Sequence, residues 1–343
     1  MLLKREINFL LVKTSLLIKR QTMNPKKLES LDIKTSNHRV IVPVFIPSTK
    51  DYYSGAFESL KLCLTTLLQT ILETTVVTII DNNCIEEVSI YLYDLFKVRK
   101  IDQLILNASN KGKVEAVLDV FRNSKEDLIT ITDCDVLFKQ NWFFETKKVF
   151  KAFPKVGYVS PLPLPSACNY YSKWSWYYGL LNGKIVREKH ADIESIAIFN
   201  KSILMKREFY EIEKYPFKLK NKEVKAVLGA GHFCGTYNRN VIGKIPYKFS
   251  GNTFTGAEKL FFDQPIEDAG FLRLATNKGW VFHIGVNHEE WMHDVVNQNN
   301  KEKCKDILIK IDSKGYRNSI LASILMKLKL KKIRYKLVKE IDE

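Results

Sequence analysis

From residue 40 onward the apolar positions follow two alternating rhythms. Short β-branched runs occupy residues 40–46, 75–80, 101–106 and 128–132, and the second is unbroken, as in a strand covered on both faces. Between them apolar residues recur every three or four positions. Leu60, Leu64, Leu67, Leu68 and Ile71 line one face of a helix over 58–70, and further helices are predicted at 86–98, 113–122 and 141–153. Four strand–helix alternations imply an α/β fold with a mostly parallel central sheet, right-handed crossovers and helices on its faces. Ligands of such sheets bind beyond the carboxyl ends of the strands. Three of those ends are polar here: Asp81-Asn82-Asn83, the stretch 107–113, and Asp133-Cys134-Asp135.

Beyond Pro154 the alternation gives way to a mixed half. A strand is predicted at 156–159, followed by Pro161, Pro163 and Pro165 and by an aromatic block, Tyr170-Tyr171 and 174–178. A strand at 224–228 leads into Gly229-Ala230-Gly231, a helix is predicted over 267–278 and a strand over 280–284. In the tail, Ile320, Leu321, Ile324, Leu325 and Leu328 recur at helical spacing, while 326–330 alternates like a strand.

Charge adds an asymmetry that hydropathy does not show. The 343-residue chain carries +16, of which residues 1–39 hold +6 and residues 301–343 hold +7, leaving +3 for the centre. Basic ends favour an anionic partner, and a membrane surface or plain solvation both satisfy them. No zinc-finger, RNP-like or helix-turn-helix signal accompanies them, so nucleic acid is not expected. The six cysteines include no CxxC pair, which speaks against a disulfide framework and a structural zinc. The apolar stretch 7–18 is broken by Asn8, Lys13, Thr14 and Ser15 and falls short of the ~18–20 residues of a spanning helix. A cytoplasmic protein, peripheral on the inner membrane face through its basic ends, is the expectation.

Asp133 and Asp135 are one residue apart at a strand end, where two carboxylates can share a divalent cation that also grips phosphate oxygens. The plain alternative is a polar turn. Asn110-Lys111-Gly112-Lys113 opens a helix: glycine admits a close backbone approach and the helix N-terminus favours an anion. Asp81 can accept a hydrogen bond from a base or close an Asx turn. Glu267-Asp268 suits a helix start or a general base. His283 and His288 flank the end of the last strand, and His232 sits in the glycine-rich turn. The pairs Trp174/Trp176 and Tyr177/Tyr178 can stack on sugars, although such blocks are more often core.

In this order the features resemble family 2 glycosyltransferases of the GT-A fold, over about residues 40–290. The segments that carry the resemblance are residues 42–47, 79–83, 110–113, 132–135 and 229–231, with Glu267-Asp268 and His288. The resemblance implies a nucleotide-sugar-binding half at 40–155, an acceptor and catalytic half at 156–295, and basic appendages at 1–39 and 296–343. It implies a non-processive, inverting transfer from a nucleotide sugar, a UDP-sugar foremost, to a hydroxyl of a saccharide or lipid-linked acceptor in cell-surface glycan synthesis. Pro43, Val44, Phe45, Asp81, Lys111, Gly112, Lys113, Asp133, Cys134, Asp135, Gly231, His232 and Glu267 would bind the donor. Asp135 and His288 would hold Mn²⁺ or Mg²⁺, and Asp268 would be the base. No QxxRW-type motif is present, which speaks against a processive synthase. The alternatives are a sugar-phosphate nucleotidyltransferase, whose glycine-rich loop is missing from 40–51, and a non-catalytic sugar-nucleotide-binding protein at the membrane.

Overall fold

The computed structural model describes residues 36–222, 224–246, 257–299 and 304–317. Most of the basic ends, including the 320–330 pattern, lies outside them. The four β-branched runs form β1 (His38–Val44), β2 (Val76–Asp81), β3 (Gln103–Leu106) and β4 (Leu128–Thr132). The helices between and after them are α1 (Ala56–Thr70), α2 (Glu86–Lys97), α3 (Lys113–Asn123) and α4 (Trp142–Ala152). Strands β3, β2, β1 and β4 are adjacent in that order and parallel, with Val44 opposite Asp81 and Asp81 opposite Leu106. The three polar strand ends therefore open on one edge, as expected.

Past β4 the sheet is mixed. It continues through β10 (Cys234–Asn238), β6 (Val156–Ser160), β11 (Leu272–Thr276), β9 (Val224–Val227), β8 (Phe217–Asn221) and β7 (Ile185–Arg187). Antiparallel β10 separates β4 from β6, while β6 and β11 pair in parallel. The result is an α/β domain, parallel in its first half and mixed in its second. Val40, Val42 and Val44 pack with Leu60, Leu64 and Leu67 of α1 and Val88 and Leu92 of α2 on one face. Ile41 points the other way, with Ile129 and Ile131, to Val117 and Phe121 of α3. Strands β1, β2 and β4, buried on both faces, need a nearly unbroken apolar run, which makes them legible; β3 is the edge strand, exposed or half-buried throughout.

Two strands stand apart: β5 (Val136–Phe138) and β12 (Val281–His283) form a separate antiparallel pair, His283 opposite Val136. The chain thus leaves the main sheet at Thr132, turns through Asp133-Cys134-Asp135, and enters a second small sheet.

The helix expected over 267–278 is not there. A π-helical turn (Lys259–Asp263) and a short helix over Gln264–Asp268 are followed by Gly270 at φ +82° and then by β11. A side chain on Gly270 would put its Cβ 2.1 Å from the Tyr316 carbonyl oxygen, so the chain turns where glycine alone fits. The aromatic block forms α5 (Lys173–Leu181), with Trp174 and Trp176 each 1% exposed. They are core, and offer no platform for sugars. The chain then forms α6 (Ile193–Ser202), α7 (Glu211–Lys214), α8 (the Gln264–Asp268 helix) and α9 (Glu290–Asn299); α9 crosses the expected boundary at 295/296. Among the described residues, no helix is long and apolar enough to cross a membrane.

Candidate active site

The carboxyl ends of β1, β2 and β4 floor a cleft with two lobes. One, about 360 Å³, is lined by Pro43, Val44, Phe45, Tyr52, Tyr53, Asn82, Gly112, Cys134 and Asp135 among others. The second, about 420 Å³, is lined by Tyr170, Phe199, Gly231, His232, Glu258, Asp263, Arg273 and His283 among others. Lys113 and Asp133 belong to both lobes and mark where they join.

At that junction one ligand atom from each of Asp133, Asp135 and His283 lies within 4.8 Å of the others. The β5–β12 pairing creates this group, because it carries His283 back beside the turn that follows β4. Ile284 N–H donates to the Asp135 carbonyl at 2.9 Å and fixes the approach. The Ser202 hydroxyl donates to the Phe199 carbonyl at 2.7 Å, so it can only accept from His283 Nδ1 at 2.8 Å. With Nδ1 bonded to Ser202, His283 turns Nε2 to Asp135 Oδ2, 3.5 Å away, as a lone pair when the imidazole is neutral and as a donor when it is charged. Asp135 Oδ1 is buried with no hydrogen-bond donor. Burial pushes the Asp135 carboxyl up, and the neighbouring Asp133 charge adds to it against the pull of His283. Converging lone pairs with an orphaned carboxylate oxygen are what a divalent cation satisfies. Two carboxylates and one imidazole suit Mn²⁺, which accepts nitrogen, better than Mg²⁺. The Ser202 contact would be the outer-shell bond that orients the ligand.

His288 does not join the group. Its Nε2 is 3.0 Å from Ser59 Oγ, whose own proton goes to the Gly285 carbonyl at 2.6 Å. A Cβ on Gly55, which precedes α1, would lie 1.9 Å from the Val286 carbonyl and 3.0 Å from His288 Cε1. His288 thus clamps the 285–288 turn onto α1. Gly285 and Val286 of that turn line the first lobe.

Gly112 stands before α3 at φ +76°, ψ 156°, a conformation essentially confined to glycine, and lets the backbone enter the cleft. Lys113 Nζ reaches Asp133 Oδ1 and Glu258 Oε1, both at 2.5 Å. Burial opposes its charge, but the two carboxylates outweigh it and hold the ammonium well above its ordinary range. Lys111 is exposed and lines neither lobe; its backbone N–H bonds Asn82 Oδ1 at 3.0 Å. Asn82 also accepts from Asn107 and donates to Asn110, tying β2 to the loop before α3. Asp81 is spent locally, Oδ1 on the Cys84 N–H and Oδ2 on the Ser89 hydroxyl, and lines neither lobe. Asn82 faces the cleft in its stead.

The second lobe holds a network that the sequence pattern does not reveal. His232 Nδ1 meets Asp263 Oδ2 and Nε2 meets Glu258 Oε2, both at 3.2 Å. Burial opposes its charge, yet the two carboxylates raise the imidazole to about 9. Glu258 is driven down to about 2, since its bonds to His232 and Lys113 overcome burial. Asp263, 3% exposed, also binds Arg273 Nη2 at 3.1 Å. Arg273, a cation in the otherwise apolar run 271–275, was the signal available in the sequence. Glu267 and Asp268 line neither lobe: Glu267 accepts the Lys173 N–H at 3.0 Å, and exposed Asp268 accepts from Gln264 at 3.2 Å. The helix that was to present them ends at Asp268.

No protein-family profile and no curated protein matches the sequence. Among solved structures, the chain is similar to the mannosyltransferase PcManGT of Pyrobaculum calidifontis, in complex with GDP-Man and Mn²⁺. That likeness has 14% identity, 76% of this chain and 61% of the other covered, and a TM-score of 0.40. It is also similar to S. aureus TarS 1–349, at 10% identity over 77% of this chain and 70% of the other, TM-score 0.43. For TarS 1–349 in complex with UDP-GlcNAc the figures are 10%, 76%, 64% and 0.40. The chain spans about three-fifths of the length of the mannosyltransferase.

Proposed function

We propose that this protein is a GT-A glycosyltransferase that moves a sugar from a nucleotide sugar to a hydroxyl of a saccharide or lipid-linked acceptor, with inversion and with a divalent cation. The observation that carries the reading is the Asp133–Asp135–His283 group, set beside a glycine-opened helix N-terminus at the junction of two lobes. The donor lobe supports it: Phe45, Tyr52 and Tyr53 form an aromatic wall for a base, and Gly112 and Lys113 face the metal group where a diphosphate would lie. A glycine-rich loop, which a nucleotidyltransferase needs after β1, is replaced by this tyrosine-bearing segment.

When bound, the cation would stabilise the charge on the leaving diphosphate. Lys113 supplies a second positive charge on that path. In the second lobe, the acceptor lobe, Glu258 and Asp263 both have their two oxygens engaged. Asp263 is 3% exposed and tied to buried Arg273, whereas Glu258 is 29% exposed and one of its partners is Lys113, so Glu258 is assigned the base in place of Asp268. As Lys113 turns to the diphosphate, Glu258 loses one of its two cations and gains basicity. The acceptor oxygen attacks the anomeric carbon, its proton passes to Glu258, and the bond to the nucleoside diphosphate breaks on the opposite side.

The test is Mn²⁺-dependent release of nucleoside diphosphate from a donor panel screened first by thermal shift. Wild type is expected to turn over one donor class, Asp135→Ala to lose metal dependence and activity together, and Glu258→Gln to lose on the order of 10²–10⁴ in kcat. Full turnover by Asp135→Ala would overturn the reading.

A further inference from the structure

α6 ends at Ser202 and is followed by Ile203, Leu204 and Met205, which are 40%, 75% and 41% exposed. Aliphatic side chains scattered singly over a surface are ordinary; three in succession on one turn are not. Leu204 has φ +56°, a left-handed conformation that costs a bulky L-residue energy, and it is the most exposed of the three. Lys201 and Lys206 flank the turn, and Arg207 lies 4.0 Å from the ring centre of Tyr210, itself 53% exposed. Lys201 and Arg207 pair with Glu289 and Glu213, whereas Lys206 has no ion pair among the described residues. Ile203 also lines the acceptor lobe, so the turn forms part of its lip.

An aliphatic tip, a cationic shoulder and a tyrosine behind it are the parts of an interfacial anchor: the tip enters acyl chains while the cations stay with headgroups. Protein hot spots instead favour tryptophan, tyrosine and arginine seated in pockets. Most of the chain's +16 lies on its two ends; at this turn Lys206, outside any ion pair among the described residues, is the cation that meets anionic headgroups. We propose that the 203–205 turn inserts into an anionic lipid bilayer, so that the acceptor lobe opens at the membrane–water boundary. The contact itself is independent of the transferase reading; only its consequence, a lipid-linked acceptor, rests on that reading.

The full-length chain is tested by co-sedimentation with phosphatidylcholine vesicles, pure or containing one-third phosphatidylglycerol. Leu204→Asn/Met205→Ser should bind the mixed vesicles on the order of tenfold more weakly than wild type. Asn relieves the left-handed strain, so this variant should stay folded and should retain donor hydrolysis without vesicles; absence of hydrolysis by wild type and variant alike counts against the transferase reading and leaves the lipid contact standing. Because the basic ends can also hold the chain on anionic lipid, the deciding readout is Leu204→Trp. Its added emission should shift to the blue on vesicles and be quenched by brominated phosphatidylcholine. Emission that ignores the vesicles overturns the proposal even when the protein co-sediments. Self-association through the turn gives that same unresponsive result.

Discussion

His283 and His288 have the same side chain and nearly the same place in the sequence, but their hydrogen bonds give them different work. His283 donates through Nδ1 to Ser202 and keeps Nε2 free, whereas His288 spends Nε2 on Ser59. His283→Ala should therefore abolish the Mn²⁺-induced thermal shift. His288→Ala should keep it while lowering stability by about 1 kcal/mol, the worth of a hydrogen bond. Ser202→Ala should weaken Mn²⁺ on the order of 10–100-fold, as loss of an outer-shell bond does. The His232–Glu258 contact makes a prediction in pH. His232 titrates at about 9 folded against an ordinary 6.5, so its stabilisation is complete below about 6.5 and lost as pH rises through 9. Glu258 titrates at about 2 against 4.5, so its share is present above about 4.5 and lost as pH falls through 2. The Tm gap between wild type and His232→Asn/Glu258→Gln should be widest between about pH 4.5 and 6.5 and narrow towards pH 9.

At the scale of elements, glycines set what the sheet and helices can do. Gly235 in β10 leaves room for Tyr158, whose hydroxyl would lie 1.9 Å from a Cβ there and which donates to the Gly231 carbonyl at 2.6 Å. Gly235→Ala should cost about 1–3 kcal/mol or more in urea unfolding, as overpacking of a rigid core does. Gly112→Ala should cost about 1–3 kcal/mol from backbone strain and weaken donor binding together, which thermal shift with and without nucleotide would separate. The elements read correctly from sequence were those with a continuous apolar run or a long amphipathic period. β11 lies where a helix is expected over 267–278, because buried Arg273 breaks its apolar run; Gly270 is the stop that ends the preceding helix. β12 falls within the strand expected over 280–284, but β5 spans three residues, too short for periodicity to register, and the pairing of the two is what assembles the metal group.

Across the whole molecule, the segment 304–317 straps distant parts of the domain. Lys147 pairs with Asp306 at 2.5 Å, the Lys155 N–H donates to Asp312, and Asn238 Nδ2 donates to the Asp312 carbonyl at 2.9 Å. Tyr316 stacks on Trp174, ring centres 5.5 Å apart, and donates its backbone N–H to Gly270 at 2.7 Å. Tyr316→Ala should lower stability by about 1–2 kcal/mol, since the ring is half-buried, with Mn²⁺ binding kept. The basic composition of the tail carries no sign of this packing role, which rests on single residues spaced along 304–317. The sequence by itself determined four strands of a mostly parallel sheet, the edge on which their polar ends open and the Asp133-Cys134-Asp135 turn, because apolar periodicity and strand ends are local properties. The order β3–β2–β1–β4 came from the fold. Tertiary structure decided which histidine faces that turn, that Glu258 and not Asp268 enters the cleft, and that Asp81 is spent on Cys84 and Ser89. The first two depend on segments far apart in the chain meeting, which no local pattern records; Asp81 bonds within its own turn, and only the folded chain selects that turn over a ligand contact.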